Sequence, residues 1–218
     1  MNIRNRALGG KSSRTFIAEG FWDGLCAQLI PGDLVLIQFG HNDYGPVVDE
    51  SKVPAIQRRA RGSLPGVGEN SQQVGAPGTI EGELVHSFGW YLRKMIADTI
   101  AKEARPVILS MTVRNSWRNG RVERGLPSYV MWSREVARKS HVPFVDVTNV
   151  IAAEYEQLGP ERVSLLYPGD QTHFNAEGAD LHARVIVREL ARVPGFKIGS
   201  LLSTKGSAVL SKRARGGN

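Results

Sequence analysis

The sequence predicts an α/β protein, a three-layer sandwich around a mostly parallel, flavodoxin-like sheet. Two observations carry this. Three short apolar runs, Leu34–Phe39, Pro106–Met111 and Pro143–Val147, lack clean apolar/polar alternation and read as strands covered on both faces. Around them lie longer stretches whose apolar residues recur three and four positions apart. Strands that alternate with helices give a parallel sheet with crossover helices.

In chain order, Asn2–Leu8 reads as a further strand that ends at Gly9-Gly10. Phe16, Ile17, Phe21, Trp22, Leu25 and Leu29 fall at helical spacing, and the strand at Leu34 follows. Residues 48–82 are rich in Gly, Pro, Ser and Gln and predict a long loop over the sheet, of a length that is usually functional or mobile. Leu84, Val85, Phe88, Tyr91, Leu92, Met95, Ile96 and Ile100 mark a second helix ahead of the strand at Pro106. Helices are then expected near Tyr129–Lys139, Val150–Leu158 and Ala176–Val193. The last has Asn175 as N-cap and Val185, Ile186, Leu190 and Val193 as its apolar stripe. Residues 1–195 are expected to form one domain. Residues 196–218 form a basic C-terminal extension that wraps the body before fraying.

Composition narrows the function. With 218 residues, 41% of them hydrophobic and 22% charged, the chain is globular and of single-domain size. One cysteine excludes a disulfide scaffold and a cysteine-based zinc finger. No apolar run reaches the ~18 residues of a membrane-spanning helix. The opening MNIRNRALGG has no apolar segment of the kind a secretion signal needs. The net charge of +7 is concentrated: five of the 28 Lys and Arg residues, and no acid, fall in 196–218, so the body is near neutral. No basic stripe with interleaved aromatics accompanies that tail, so neither a nucleic acid nor a membrane is expected as partner.

Open parallel sheets bind ligands at the C-terminal ends of their strands. Four polar runs fall there or just before a helix: Gly9–Arg14, Gly40–Asp43, Thr112–Trp117 and Asp170–His173. Gly-Gly-Lys-Ser-Ser is not a phosphate loop, because Asn5 stands where that motif needs its first glycine. Asp170 and His173, three residues apart in a turn, suit a carboxylate that orients an imidazole toward a hydroxyl. Asn42 and the Gly10 N–H offer two donors for a carbonyl oxygen that develops charge. The five histidines show no metal-ligand spacing, so neither a metal nor a cofactor is expected, and no opposed carboxylate pair suggests a glycosidase. Tyr44, Trp90 and Trp117 are candidate sugar-stacking faces, with core packing the plainer role for Trp90.

Taken in order, NRALGGKSSRTF (5–16), GDLVLIQFGHND (32–43), VHSFGWYLR (85–93) and DQTHFNAEGA (170–179) resemble the SGNH (GDSL-like) hydrolase superfamily, within it the rhamnogalacturonan acetylesterase group. The resemblance implies a sandwich with five parallel strands. It implies a serine esterase, needing no cofactor, that removes acetyl groups from a pectin-type polysaccharide. His173 would be the general base and Asp170 the residue that orients it, with Gly10 and Asn42 as oxyanion donors. The family's Gly-Asp-Ser block, which carries the nucleophile, precedes the stretch matching 5–16. No such run occurs among the 218 residues, and Gly32-Asp33 is followed by Leu34. The block, its strand and any export signal are therefore expected upstream of Met1, roughly 30 residues by the size of such a unit. With an export signal the protein would work outside the cytoplasm, in the periplasm or the medium. Ser12 or Ser13 as a substitute nucleophile is one alternative. An inactive remnant or a carbohydrate-binding pseudoenzyme is another.

Overall fold

Leu34–Gln38 (β1) and Arg105–Leu109 (β4) run parallel, with Val35 opposite Pro106 and Ile37 opposite Ile108. They belong to a computed structural model that describes residues 2–48, 60–75, 83–196 and 198–211. Phe144–Val145 (β7) completes a parallel sheet in the order β1-β4-β7. The central strand is the most buried: Val107 and Ile108 are fully enclosed. β1 departs from the expectation of two covered faces. It borders only β4 among the described residues, and Leu36 is 43% exposed while Val35 and Ile37 point inward. An edge strand with one solvated face alternates in this way.

The chain divides into two compact units. The first contains residues 6–111 and 127–144. It holds helices Ser13–Ala18 (α1), Phe21–Cys26 (α2), Phe88–Ala101 (α3) and Pro127–Lys139 (α4), with β1, β4 and the strands Ser71–Val74 (β2) and Glu83–His86 (β3). The second contains residues 1–5, 112–126 and 145–218. It holds the ribbon Trp117–Arg118 (β5) and Arg121–Val122 (β6), helices Val147–Leu158 (α5), Pro160–Ser164 (α6), Ala176–Leu190 (α7) and Thr204–Ser211 (α8), and a 3₁₀ turn at Ile198–Leu201.

Several expectations need correction. Asn2–Leu8 is exposed and without regular structure, because no strand among the described residues supplies its backbone with a ladder. The helix read across Phe16–Leu29 is broken in two by Gly20, whose φ of +78° is left-handed. Leu84 and Val85 lie in β3, not in a helix. Ser87 caps the start of α3 by accepting from the Trp90 N–H at 3.1 Å. Within 48–82, residues 60–75 are ordered, and β2 pairs antiparallel with β3. The rest of that stretch, at 49–59 and 76–82, lies outside the described residues, as does the basic run at 212–218. The Asn175 cap holds, its side chain accepting from the Gly178 N–H at 3.0 Å. In the second unit α8 packs on α7, and Lys205 reaches Asp180 at 2.6 Å.

α3 is the spine of the first unit. Phe88, Leu92, Met95, Ile96 and Thr99 line its buried side at the three- and four-residue spacing of a helix and face α4 and β4. α1 is fastened by charge instead. Arg14 is 2% exposed and forms a two-pronged pair with Glu83 of β3, at 2.8 and 2.5 Å. A third guanidinium nitrogen donates to the carbonyls of Val47 and Gly62, at 2.8 and 2.9 Å. Next to it, Ser13 donates its N–H to the carboxylate of Asp43 at 3.0 Å, and its hydroxyl donates to the same oxygen. Asp43 is fully buried, and burial pushes its carboxyl up from 3.8 to about 6 against the pull of the Ser13 donors.

Two expectations follow. Arg14→Met leaves Glu83, whose side chain is 12% exposed, without its partner, and urea unfolding should register a loss of about 3–5 kcal/mol. Replacing both partners with apolar residues should recover much of that loss. For Asp43 the folded state binds its proton more tightly than the unfolded state. Its contribution therefore falls as pH rises from 3.8 to about 6 and is level above. Asp43→Asn should flatten that part of the stability–pH curve, and an unchanged slope would refute the assignment.

Candidate active site

The first unit carries Gly10 and Asn42, which the sequence singles out as candidate oxyanion donors. β1 ends at Gln38, and the turn after Gly40 presents Asn42. Gly40 has φ +144° and lies so close to Met111 that a Cβ would meet Sδ at 3.2 Å. Asn42 donates through Nδ2 to the Lys11 carbonyl at 3.1 Å. A primary amide has two N–H groups, so this bond fixes its plane and leaves a second donor. Gly10 sits in the facing turn with φ +77°, a left-handed backbone that glycine adopts without strain. Its N–H has no partner among the described residues. The structure thus brings Gly10 and Asn42 together through Lys11.

Ser12 and Ser13 do not look like nucleophiles. Ser12 caps α1: its hydroxyl accepts from the Thr15 N–H at 3.1 Å, while Thr15 Oγ1 accepts from the Ser12 N–H at 2.9 Å. Ser13 is committed to Asp43. Both are fully buried.

The second unit carries Asp170 and His173, the candidate acid–base pair. Asp170 folds its turn around itself: one carboxylate oxygen accepts from the N–H groups of Thr172 and His173, at 2.6 and 2.7 Å. The other accepts from His173 Nδ1 at 2.7 Å. These bonds, the imidazole's foremost, hold the Asp170 carboxyl down from 3.8 to about 2. Asp170 is therefore ionised through the neutral and weakly acidic range. A carboxylate only accepts, so the proton of neutral His173 sits on Nδ1 and Nε2 is left with its lone pair. The imidazole side chain is 84% exposed, open to an incoming hydroxyl.

Sequence reasoning missed the support beneath this turn. Phe174 stacks on His182 at 4.2 Å and 16°, and Tyr167 meets Phe174 edge-on at 6.0 Å. His182, 6% exposed, donates from Nδ1 to the Gly178 carbonyl at 2.8 Å. Its Nε2 then accepts from the Thr112 hydroxyl at 2.6 Å, and burial lowers its pKa. A Cβ at Gly178 would stand 2.7 Å from that of Phe174, so only glycine lets the ring lie there. In the sequence His182 is one of five histidines with no motif around it. Asn115 also donates its N–H to the Gln171 carbonyl at 2.8 Å.

Gly10 and Asn42 belong to one unit, Asp170 and His173 to the other. Of the three aromatic candidates, Tyr44 is 68% exposed. Trp90 stacks on His86 at 3.8 Å, and Trp117 is tied to Asn115 by its indole N–H at 2.8 Å. Among the described residues no group of three His, Cys, Asp or Glu is placed to hold a metal ion, and no helix is long and apolar enough to cross a membrane.

Among known proteins, rhamnogalacturonan acetylesterase of Emericella nidulans is 30% identical over 188 residues, covering 86% of this chain and 73% of that protein. Two Bacillus subtilis proteins are also similar. Rhamnogalacturonan acetylesterase RhgT is 29% identical, over 84% of this chain and 72% of its own length. The probable rhamnogalacturonan acetylesterase YesY is 25% identical, over 86% and 76%. The crystal structure of Bacillus subtilis protein YxiM matches in fold, with a TM-score of 0.66 at 24% identity over 89% of this chain. The chain spans about half, 47%, of that structure. The family model of the GDSL-like lipases and acylhydrolases matches residues 1–181, a span that runs from the Gly9-Gly10 turn through the Asp170–His173 pair. The chain therefore belongs to the GDSL-like lipase/acylhydrolase family and is a hydrolase of ester bonds.

Proposed function

We propose that the protein is a carbohydrate acetylesterase that removes O-acetyl groups from a pectin-type polysaccharide of the rhamnogalacturonan kind. The observation that carries this reading is the Asp170–His173 pair, with a carboxylate ionised at neutral pH on Nδ1 and an exposed imidazole. The names of the similar proteins supply the acetyl group and the polymer.

The chemistry is that of a serine esterase. A seryl hydroxyl attacks the acetyl carbonyl and gives its proton to His173 Nε2, and Asp170 stabilises the imidazolium. The oxyanion accepts from the Gly10 N–H and the free N–H of Asn42. Collapse expels the sugar oxygen, which takes the proton from His173. Water, deprotonated by the same nitrogen, then releases acetate. In the family's order the nucleophilic serine precedes the stretch matching 5–16, and we assign that role to none of the 218 residues. An acetylated wall polymer is met outside the cell, and we assign the protein's work there.

The test is acetate release from acetylated rhamnogalacturonan by the protein and its variants. His173→Ala should lower kcat at least about 100-fold. Asp170→Asn should lower it at least roughly tenfold by misdirecting the imidazole. Equal rates for wild type and His173→Ala would end the esterase assignment. Acetylated xylan turned over as fast as rhamnogalacturonan would remove the pectin assignment alone.

A further inference from the structure

The polar run Thr112–Trp117 has no part in the chemistry above, yet its first residues are tied bond by bond to the segment that carries His173. The Thr112 hydroxyl donates to His182 Nε2 at 2.6 Å. The Val113 carbonyl accepts from the Tyr167 hydroxyl at 3.3 Å, and the Asn115 N–H donates to the Gln171 carbonyl at 2.8 Å. All of these residues belong to the second unit. The strand-end segment and the Asp170–His173 turn therefore form one braced assembly.

His182 is where the brace reaches the turn. The Gly178 carbonyl only accepts, so the proton of the His182 ring sits on Nδ1, 2.8 Å from that oxygen. Nε2 is left with a lone pair, which the Thr112 hydroxyl fills. Bonds at both nitrogens, one to the backbone of α7 and one to the Thr112 side chain, fix the plane of the ring. Phe174, the residue after His173, lies on that plane at 4.2 Å and 16°. Tyr155 meets the same ring edge-on at 6.0 Å, and its hydroxyl meets that of Tyr167 at 3.0 Å. On the far side of Phe174, Asn175 is pinned in turn: its N–H donates to the Leu166 carbonyl at 2.8 Å and its amide to the Leu165 carbonyl at 3.0 Å. Burial disfavours the imidazolium, which keeps the His182 ring in this tautomer.

A polar ring at a position only 6% exposed costs desolvation that its two hydrogen bonds offset. An apolar ring would fill the same space without that cost, so what the histidine adds is direction. We propose that His182 is a positioning residue: held between Thr112 and Gly178, it fixes Phe174 and, through it, the backbone from which His173 Nδ1 meets Asp170. It acts through Phe174 and touches none of the reacting atoms. What this positioning serves rests on the acetylesterase reading above; the hold on His173 itself does not.

Nitrogen-15 NMR of the imidazole rings tests this without turnover, at about pH 8, above the usual histidine range. In the wild-type chain His173 should show the Nδ1–H tautomer that its bond to Asp170 selects. Thr112→Val keeps the shape of the side chain and removes the donor to His182. The share of His173 in the other tautomer should then rise roughly tenfold, the effect of one hydrogen bond lost from a buried group. Thr112→Ser returns the hydroxyl and should return the wild-type spectrum. His182→Phe keeps a ring under Phe174 without either bond and should match Thr112→Val. Circular dichroism establishes which variants are folded, and the two Thr112 variants decide the matter if His182→Phe is not. A wild-type His173 without the Nδ1–H tautomer overturns the proposal. So does a folded Thr112→Val with the wild-type His173 spectrum, or a Thr112→Ser that behaves like Thr112→Val. In acetate release Thr112→Val should lower kcat roughly tenfold and leave KM within about twofold, and an unchanged kcat also overturns the proposal. A wild-type chain that shows the tautomer shift on substitution but releases no acetate ends the esterase reading alone.

Discussion

The buried carboxylate of Asp43 is the constraint around which the first unit is arranged. It accepts from the backbone and hydroxyl of Ser13, while its own carbonyl accepts from Ser63 and its N–H donates to Gly40. Three separate stretches of chain therefore meet at one residue: the turn after β1, the start of α1 and the segment around Gly62. Burial without these donors would cost several kcal/mol, so each must be in place for the others to be tolerable. Arg14, one residue from Ser13, repeats the logic with the opposite charge and extends it to β3 through Glu83. Gly10 and Asn42 sit one or a few residues from these anchors. Their spacing is inherited from the anchors rather than set by contacts of their own.

Asp43 and Asp170 show how environment divides one residue type between two tasks. Asp43 is enclosed, its carboxyl raised to about 6, and it holds backbone. Asp170 is half exposed, its carboxyl lowered to about 2 by the imidazole and two amides, and it stays charged. Chemistry that needs a fixed anion behind a histidine calls for the second environment. Solvent pays part of the cost of keeping that charge, and the tight turn supplies the rest.

Backbone space matters as much as side-chain chemistry. Gly40, Gly62 and Gly178 each stand where a methyl group would press on a neighbour: Met111, the Gly45 carbonyl and Phe174 respectively. Gly40 lets β1 end against Met111, Gly62 lets the Arg61 segment pass, and Gly178 lets Phe174 lie flat on His182. The turn that carries His173 is thereby supported from below by packed rings, while its imidazole remains in solvent.

Much was legible from residue order. The parallel strands at 34–38 and 105–109, the helices α4, α5 and α7 with its Asn175 cap, and the local Asp170–His173 bond all follow from patterns within a few residues. Short-range periodicity and turn chemistry are decided by neighbours in sequence, so they can be read there. The errors came where a partner distant in sequence decides. Leu84 and Val85 fit a helical stripe, but β2 captured them in a ribbon. Asn2–Leu8 has no described strand to pair with. The sequence by itself determined the class of chain, the order of most of its elements and the local pairing of Asp170 with His173. Only tertiary structure decided that Ser12 is a buried cap and Ser13 a buried donor to Asp43, that His182 underlies the Asp170–His173 turn, and that Arg61 reaches Gly10. Each of these depends on groups brought together from tens of residues apart, and burial, which sets their charge and reactivity, is a property of that assembly alone.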